Sequence, residues 1–187
     1  MRIAIMRHGT VAHKWKNLCT SAEFDAECRA YDTAPLAEKF VVVQGNSTRL
    51  IYVSTLRRSE ETARQLFGDV KLVRSKLINE VPLRSAFDTD KRLPLFFWYV
   101  MGRLQWLTGS KRQKETKRET AKRAEKFVRR IIENGEDCVV VTHGIFMHTL
   151  IPVLEKHGFK ENDKGPGRRN GTHKVNYKNG EMIVMSR

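Results

Sequence analysis

Three short stretches of this chain combine residue types suited to phosphorus chemistry. Arg7-His8-Gly9 follows the apolar run Arg2-Ile3-Ala4-Ile5-Met6, Arg57-Arg58 lies just beyond Leu50-Ile51-Tyr52-Val53, and Thr142-His143-Gly144 closes Val139-Val140-Val141. A doubly charged phosphoryl group is held best by fixed cationic donors, and an arginine presents them as a planar fork. A neutral imidazole near physiological pH can attack phosphorus and form a phosphoramidate that water later cleaves. A second imidazole can donate to a nonbridging oxygen and stabilise the charge that develops there. Arg7, Arg58, His8 and His143 supply both kinds of group, and residue types alone leave open which histidine attacks.

These side chains need a scaffold that brings strand exits together. Short apolar runs followed by helical patterns, with the reactive residues where the runs end, predict an α/β fold: a three-layer α/β/α sandwich with a mainly parallel central sheet. The first helix is expected over about 21–31, capped by Thr20 with Glu23 in capping-box position and facing inward through Phe24, Cys28 and Tyr31. Pro35 resets the backbone before a short helix through Phe40, and Val41–Val43 is apolar but of open type. Leu56, Ala63, Leu66 and Phe67 form the inner face of a helix stopped by Gly68, a further strand lies near 70–73, and Glu80 should fall near the sheet edge that carries His8.

From Val81 to Trp106 the period is lost. Its aromatic density, Leu95-Phe96-Phe97-Trp98-Tyr99, in irregular or short-helical chain suits either a cap over a crevice or a secondary core cluster. The firmest helix spans roughly 111–133, with an apolar stripe through Ala121, Ala124, Phe127, Val128, Ile131 and Ile132 and a stop at Asn134-Gly135. Ten cationic against three acidic residues between 111 and 130 mark its other face as solvated. It is expected to be structural first, attracting anions without entering the site. A helix over 145–156 bent near Pro152, a polar loop over 160–170, and a terminal hairpin from Lys174–Tyr177 and Glu181–Met185 complete the reading. One domain over 1–187 is predicted, with 81–110 as a cap or substrate-pocket segment.

With 187 residues, 40% of them hydrophobic, the chain can bury a full core. Its formal net charge of +14 favours anionic small molecules, nucleic acid or acidic membrane surfaces as encounter partners without choosing among them. Cys19, Cys28 and Cys138 are odd in number and lack metal-site spacing, which points to free thiols in a reducing, cytoplasmic setting and to no structural zinc. The apolar run Leu93–Met101 contains Pro94 and is too short for a transmembrane segment, and Arg7 and His8 interrupt any signal-peptide core.

In their order and spacing the three stretches resemble the histidine phosphatase superfamily, the group that includes the cofactor-dependent phosphoglycerate mutases. The resemblance implies that His8, in the arginine-histidine-glycine motif, is the phosphorylated nucleophile, with Arg7 in the phosphate pocket. The second family arginine follows a serine-x-leucine-x pattern and falls on Arg58; Arg57 takes the variable position. The late histidine-glycine pair falls on His143-Gly144, and Glu80 matches the mid-chain acid that protonates the leaving oxygen. The phosphohistidine route implies neither metal nor cofactor.

Departures from the family pattern refine the expectation. Thr10-Val11-Ala12-His13-Lys14 stands where members often have glutamate-threonine and a nearby asparagine, so the first-loop substrate contacts differ. His13, Trp15, Arg57 and Arg84 are the candidate substrate-binding residues. The chain lacks an obvious counterpart of the long clamping insertion of glycolytic mutases, which favours hydrolysis over transfer. The expected activity is phosphomonoester hydrolysis on a small phosphorylated metabolite. Alternatives are a phosphohistidine or phosphoprotein phosphatase, mutase-like phosphoryl transfer, or a basic nucleic-acid-binding or interaction protein that retains the fold. The last is not favoured, because a binding module has no need of a reactive ring between two arginine forks.

Overall fold

The computed structural model describes residues 1–37, 50–162 and 176–187. Strand β1 (Arg2–Arg7) buries Ile3, Ala4, Ile5 and Met6, as an apolar run enclosed on both faces of a sheet must. Chain order then gives β2 (Leu18–Cys19), α1 (Ser21–Thr33), β3 (Leu50–Val53), α2 (Arg57–Phe67) and β4 (Leu72–Arg74). A single 3-10 turn at Lys76–Ile78 precedes β5 (Leu93–Pro94) and α3 (Leu95–Thr108). The remaining elements are α4 (Lys117–Asn134), β6 (Cys138–Thr142), α5 (Gly144–Lys156), β7 (Lys160–Glu161) and β8 (Met182–Ser186).

The central sheet has the order β4-β3-β6-β1-β8-β7. The pairs β4/β3, β3/β6 and β6/β1 are parallel, whereas β8 runs antiparallel to both β1 and β7. The sheet is therefore mixed but mostly parallel, in keeping with the expected architecture. Alternation along the strands separates two cores. Ile3, Ile5, Tyr52, Val140, Ile183 and Met185 point toward α4 and α5, where they meet Phe127, Val128, Ile131, Phe146 and Leu150. Ala4, Ile51, Val53, Val139 and Val141 point the other way, against Ala63 and Phe67 of α2. A third cluster, away from the sheet, packs Phe24 of α1 on Trp98 of α3, with the Trp98 indole N–H donating to the Cys19 carbonyl at 3.0 Å.

Registers Arg7↔Thr142 and Val53↔Val141 align the carboxyl ends of β1, β6 and β3. The residues that follow, His8, His143 and Ser54, consequently leave the sheet at one edge. Backbone bonds seal that edge: His8 N donates to Thr142 O at 2.9 Å and Ser54 N to Val141 O at 3.2 Å.

Several expectations need correction. The segment expected to be irregular or short-helical contains the fourteen-residue helix α3, closed by left-handed Gly109. Because its residues are apolar nearly all round, no amphipathic period marks it in sequence. The long basic helix starts at Lys117, not near 111; Thr116 caps it, with Glu119 completing a capping box. No terminal hairpin forms within the described residues: Asn176–Lys178 is not a strand, Lys174 and Val175 lie outside them, and β8 inserts between β1 and β7. After Pro35, Leu36 makes an isolated bridge with Val11 where helix was expected; residues 38–40, the Val41–Val43 run and most of the 160–170 loop lie outside the described residues.

Candidate active site

His8 leaves β1 with its side chain nearly sealed, at 2% exposure, and His143 is fully buried beside it; the two rings are tilted, with centroids 5.0 Å apart. His8 Nδ1 lies 2.7 Å from the Gly9 carbonyl, which can only accept, so Nδ1 carries the ring proton and Nε2 presents a lone pair. That lone pair accepts from Nε–H of Arg58 at 3.2 Å, and the same N–H reaches Nδ1 of His143 at 3.2 Å. With Nδ1 accepting, His143 holds its proton on Nε2 and donates to Ser54 Oγ at 2.6 Å. Ser54 passes its own proton to Ser59 Oγ at 3.1 Å, and both hydroxyls are buried.

Burial and the Arg58 guanidinium hold both imidazoles neutral. The pKa of His8 falls to about 3, with desolvation as the larger cause and Arg58 and Arg7 adding to it against the Gly9 hydrogen bond. His143 is displaced well below the usual histidine range, again by desolvation first and Arg58 next.

Arg58 lies near the start of α2, beneath the site, and is itself only 1% exposed. Asp32 accepts from its Nη1 at 2.9 Å, and the Tyr31 ring lies 4.9 Å from its guanidinium carbon. Arg7, at the end of β1, donates from Nη1 to the Tyr177 carbonyl, while its Nε–H is buried without a partner. Among the described residues no other buried side-chain nitrogen or oxygen is left unsatisfied. A cationic N–H in that state is costly unless an acceptor arrives. Gly144 permits the arrangement: a β-carbon there would lie 3.1 Å from Arg7 Nε.

Further bonds fix the loop after β1. Thr62 Oγ1 accepts from Gly9 N at 2.9 Å and donates to the Arg58 carbonyl at 2.6 Å, tying the first motif to the second. Asn179 Nδ2 donates to the carbonyls of His8 and Gly9 at 3.1 and 3.0 Å. Glu80 sits across the N-terminus of α5, where its carboxylate accepts from the backbone amides of Val81, Ile145 and Phe146.

A cleft of about 850 Å³ opens beside these groups; neither His8 nor His143 lines it, both being sealed behind Arg58 and Arg7. Arg7, Arg58 and Glu80 line it, as do Trp15 and Arg84 from the predicted set and Val81–Arg84, Tyr99 and Arg103 from the aromatic segment. Two predicted residues turn elsewhere. Arg57 pairs with Glu61 and reaches the Thr33 carbonyl, and His13 bonds Glu27 at 2.9 Å; neither lines the cleft. Arg84 is opposed by Asp25, 3.6 Å away. Trp15 packs between Tyr31 and Tyr99, with centroids 5.2 and 5.5 Å away.

The expectation that the basic helix keeps out of the site is overturned. Lys114 and Glu115, just before α4, and Arg123 on it line the cleft. Arg123 donates to the carbonyls of Leu77 and Asn79, pairs with Glu115 and covers the Phe146 ring, so it braces the turn that carries Glu80. Ser54, Ser59, Thr62 and Asp32 were not among the predicted residues. Ser54, Ser59 and Thr62 lie beside Arg58 in sequence, so the motif contained their signal; Asp32 comes from a distant helix and carried none. Among the described residues no group of histidine, cysteine or carboxylate side chains has the geometry to hold a metal ion, and no helix is long and apolar enough to cross a membrane.

No curated protein matches the chain. Solved structures share its fold at low identity. A mycobacterial glucosyl-3-phosphoglycerate phosphatase is 19% identical, with a TM-score of 0.56 over 83% of this chain and 79% of that one. A phosphoglycerate mutase from Bacillus anthracis is 20% identical, with a TM-score of 0.55 over 83% and 80%. An Entamoeba histolytica phosphoserine phosphatase variant in complex with phosphoserine is 17% identical, with a TM-score of 0.54 over 98% and 89%. The model of the histidine phosphatase superfamily (branch 1) matches residues 3–186, and the chain, with its paired buried histidines and two arginine forks at one sheet edge, belongs to that enzyme superfamily.

Proposed function

We propose that the protein hydrolyses phosphomonoesters of small metabolites through a phosphohistidine on His8. The observation that carries this reading is the unprotonated Nε2 of His8, held in a buried ring 3.2 Å from the Arg58 guanidinium. A nucleophile must offer its lone pair at working pH, and a ring that stays neutral down to about pH 3 does so throughout the physiological range.

An entering phosphoryl group takes over the bond that Arg58 makes to His8 and satisfies the buried Nε–H of Arg7. The His8 nitrogen forms the N–P bond as the P–O bond to the leaving group breaks, and the Gly9 carbonyl keeps Nδ1–H as the ring gains positive character. The dianion offsets the desolvation that holds His143 neutral, so that ring can take a proton from solvent on Nδ1 as substrate binds and donate to a nonbridging oxygen while Nε2 keeps Ser54. Glu80 delivers a proton to the leaving oxygen and, in the second half-reaction, receives one from the water that cleaves the N–P bond. Val81–Arg84, Tyr99 and Arg103 form a wall of the cleft in this reading, where Arg103, on α3, would meet an additional negative group of the substrate.

Alkaline quenching during turnover preserves phosphohistidine, and peptide mass analysis should then find the phosphoryl group on His8. His8→Ala should lower phosphate release by several orders of magnitude while phosphate binding persists. Undiminished turnover in that variant, or a label on His143 alone, would defeat the assignment.

A further inference from the structure

We propose that the outer face of α3 docks on the surface of an anionic lipid bilayer. The inner face of this helix is accounted for: Trp98, Gly102 and Trp106 are buried against the rest of the chain. The outer face is not. Phe96 is 77% exposed, Leu107 48%, Leu104 47% and Val100 37%. At about 100° per residue these four side chains fall within one quadrant of the helix, and a helix apolar on all sides is ordinarily covered on all sides. Phe87, also exposed, extends the apolar surface beside Phe97 and Trp98.

Charge and size select the occupant. The helix carries one charged residue, Arg103, which lines the cleft, but cations stand at both ends: Lys91 before it and Lys111 and Lys114 after it, with Arg92 and Arg112 nearby but paired to Glu23 and Asp88. Lys91, Lys111 and Lys114 are exposed and have no carboxylate within 4.0 Å among the described residues. A second copy of the chain would bring the same net charge of +14 to the same place. The stripe is also small, roughly 20 Å by 10 Å for a helix of this length, against ~800 Å² per partner in a stable protein interface. Nucleic acid is a poorer fit, since three of the four side chains are aliphatic and offer bases no stacking surface. An interfacial helix needs just this pairing, a narrow apolar strip that enters the acyl boundary with lysines beside it that meet anionic headgroups. Fourteen residues are too few to cross a bilayer, so α3 would lie on it. On the same helical wheel Arg103 and Tyr99 adjoin the exposed quadrant, so docking leaves the cleft beside the lipid surface.

Vesicle co-sedimentation tests the proposal with the whole chain. Binding to phosphatidylcholine vesicles containing phosphatidylglycerol should exceed binding to phosphatidylcholine alone by about tenfold or more and weaken with salt. Replacing both Phe96→Ser and Leu104→Ser should cost about tenfold or more in that binding, with circular dichroism and p-nitrophenyl phosphate hydrolysis unchanged. Phe96→Trp should keep binding and shift its emission to the blue when vesicles are added. No preference for anionic vesicles, or equal binding by the double serine variant, overturns the proposal. So does a dimer that the double variant dissociates, which would assign the face to a second copy, or oligonucleotide binding lost in that variant.

Discussion

Acidification should destabilise this protein through His8 in a way that a single substitution reveals. In the unfolded chain the ring takes a proton near its ordinary value of 6.5, whereas in the folded state it resists protonation down to about 3. Between those values the unfolded chain binds more protons, so stability falls as pH drops through the window. Between pH 7 and pH 5 the loss from His8 is about 2 kcal/mol, from 1.36 kcal/mol per pH unit below the unfolded value. His143 contributes with the same sign. His8→Gln removes the titration but leaves an amide near Gly9 and Arg58. Urea midpoints and slopes measured at both pH values should show the wild type losing about 2 kcal/mol more than the variant, since all other ionisations are common to both. Parallel losses would mean that the folded ring titrates normally. The neutral, desolvated nucleophile would then be lost, and with it the physical argument for attack by His8.

Other substitutions probe the surrounding geometry. Glu80→Gln should slow hydrolysis of alkyl phosphates by about 10²-fold or more and p-nitrophenyl phosphate far less, because nitrophenolate leaves without a proton; equal losses would remove Glu80 as the acid. Gly144→Ala places a β-carbon 3.1 Å from Arg7 Nε and should raise KM about tenfold in steady-state assays by displacing that fork. Ser54→Ala takes the 2.6 Å acceptor from His143 Nε2–H and leaves it Ser59 Oγ at 3.2 Å, and denaturant titration should show a loss of about 0.5–1.5 kcal/mol, partly restored by Ser54→Thr. Gly102→Ala sets a β-carbon 2.5 Å from Leu83 Cδ1 and should cost about 1–3 kcal/mol, loosening α3 from the cleft wall.

The legible parts of the site were those written in local sequence. A glycine after each reactive histidine and an apolar run before it place His8 and His143 at strand exits with no reference to the rest of the chain. Arg58 was separable from Arg57 only by resemblance to the family; the physical difference is that Arg58 turns under the histidines toward Asp32, while Arg57 lies one position earlier and pairs with Glu61. Helix α3 escaped notice for a reason of pattern, since its exposed side is as apolar as its buried side. The start of α4 was misread although Thr116 and Glu119 spell a capping box, because charge continues on both sides of that boundary. The partner of β8 is a tertiary choice: alternating apolar residues allow a local hairpin or a place in the large sheet, and no local feature decides between them.

The place of β1 between β6 and β8 also sets a timetable. During synthesis Arg2–Arg7 emerges first among the described strands, yet its two neighbours begin only at Cys138 and Met182. At roughly 5–20 residues per second, about 10–35 s separate β1 from β8. Until Cys138 emerges Ile3 and Ile5 have neither sheet neighbour to lie against, and from then until Met182 they have one. The carbonyls of Arg7 and His8 wait nearly the whole interval for Gly180 and Asn179, which hold the reactive loop in place. The ribosome thus exposes the nucleophilic strand early and completes its surroundings late, so nascent chains of this topology should lean on cellular holdases, and catalytic competence should appear abruptly rather than grow with chain length.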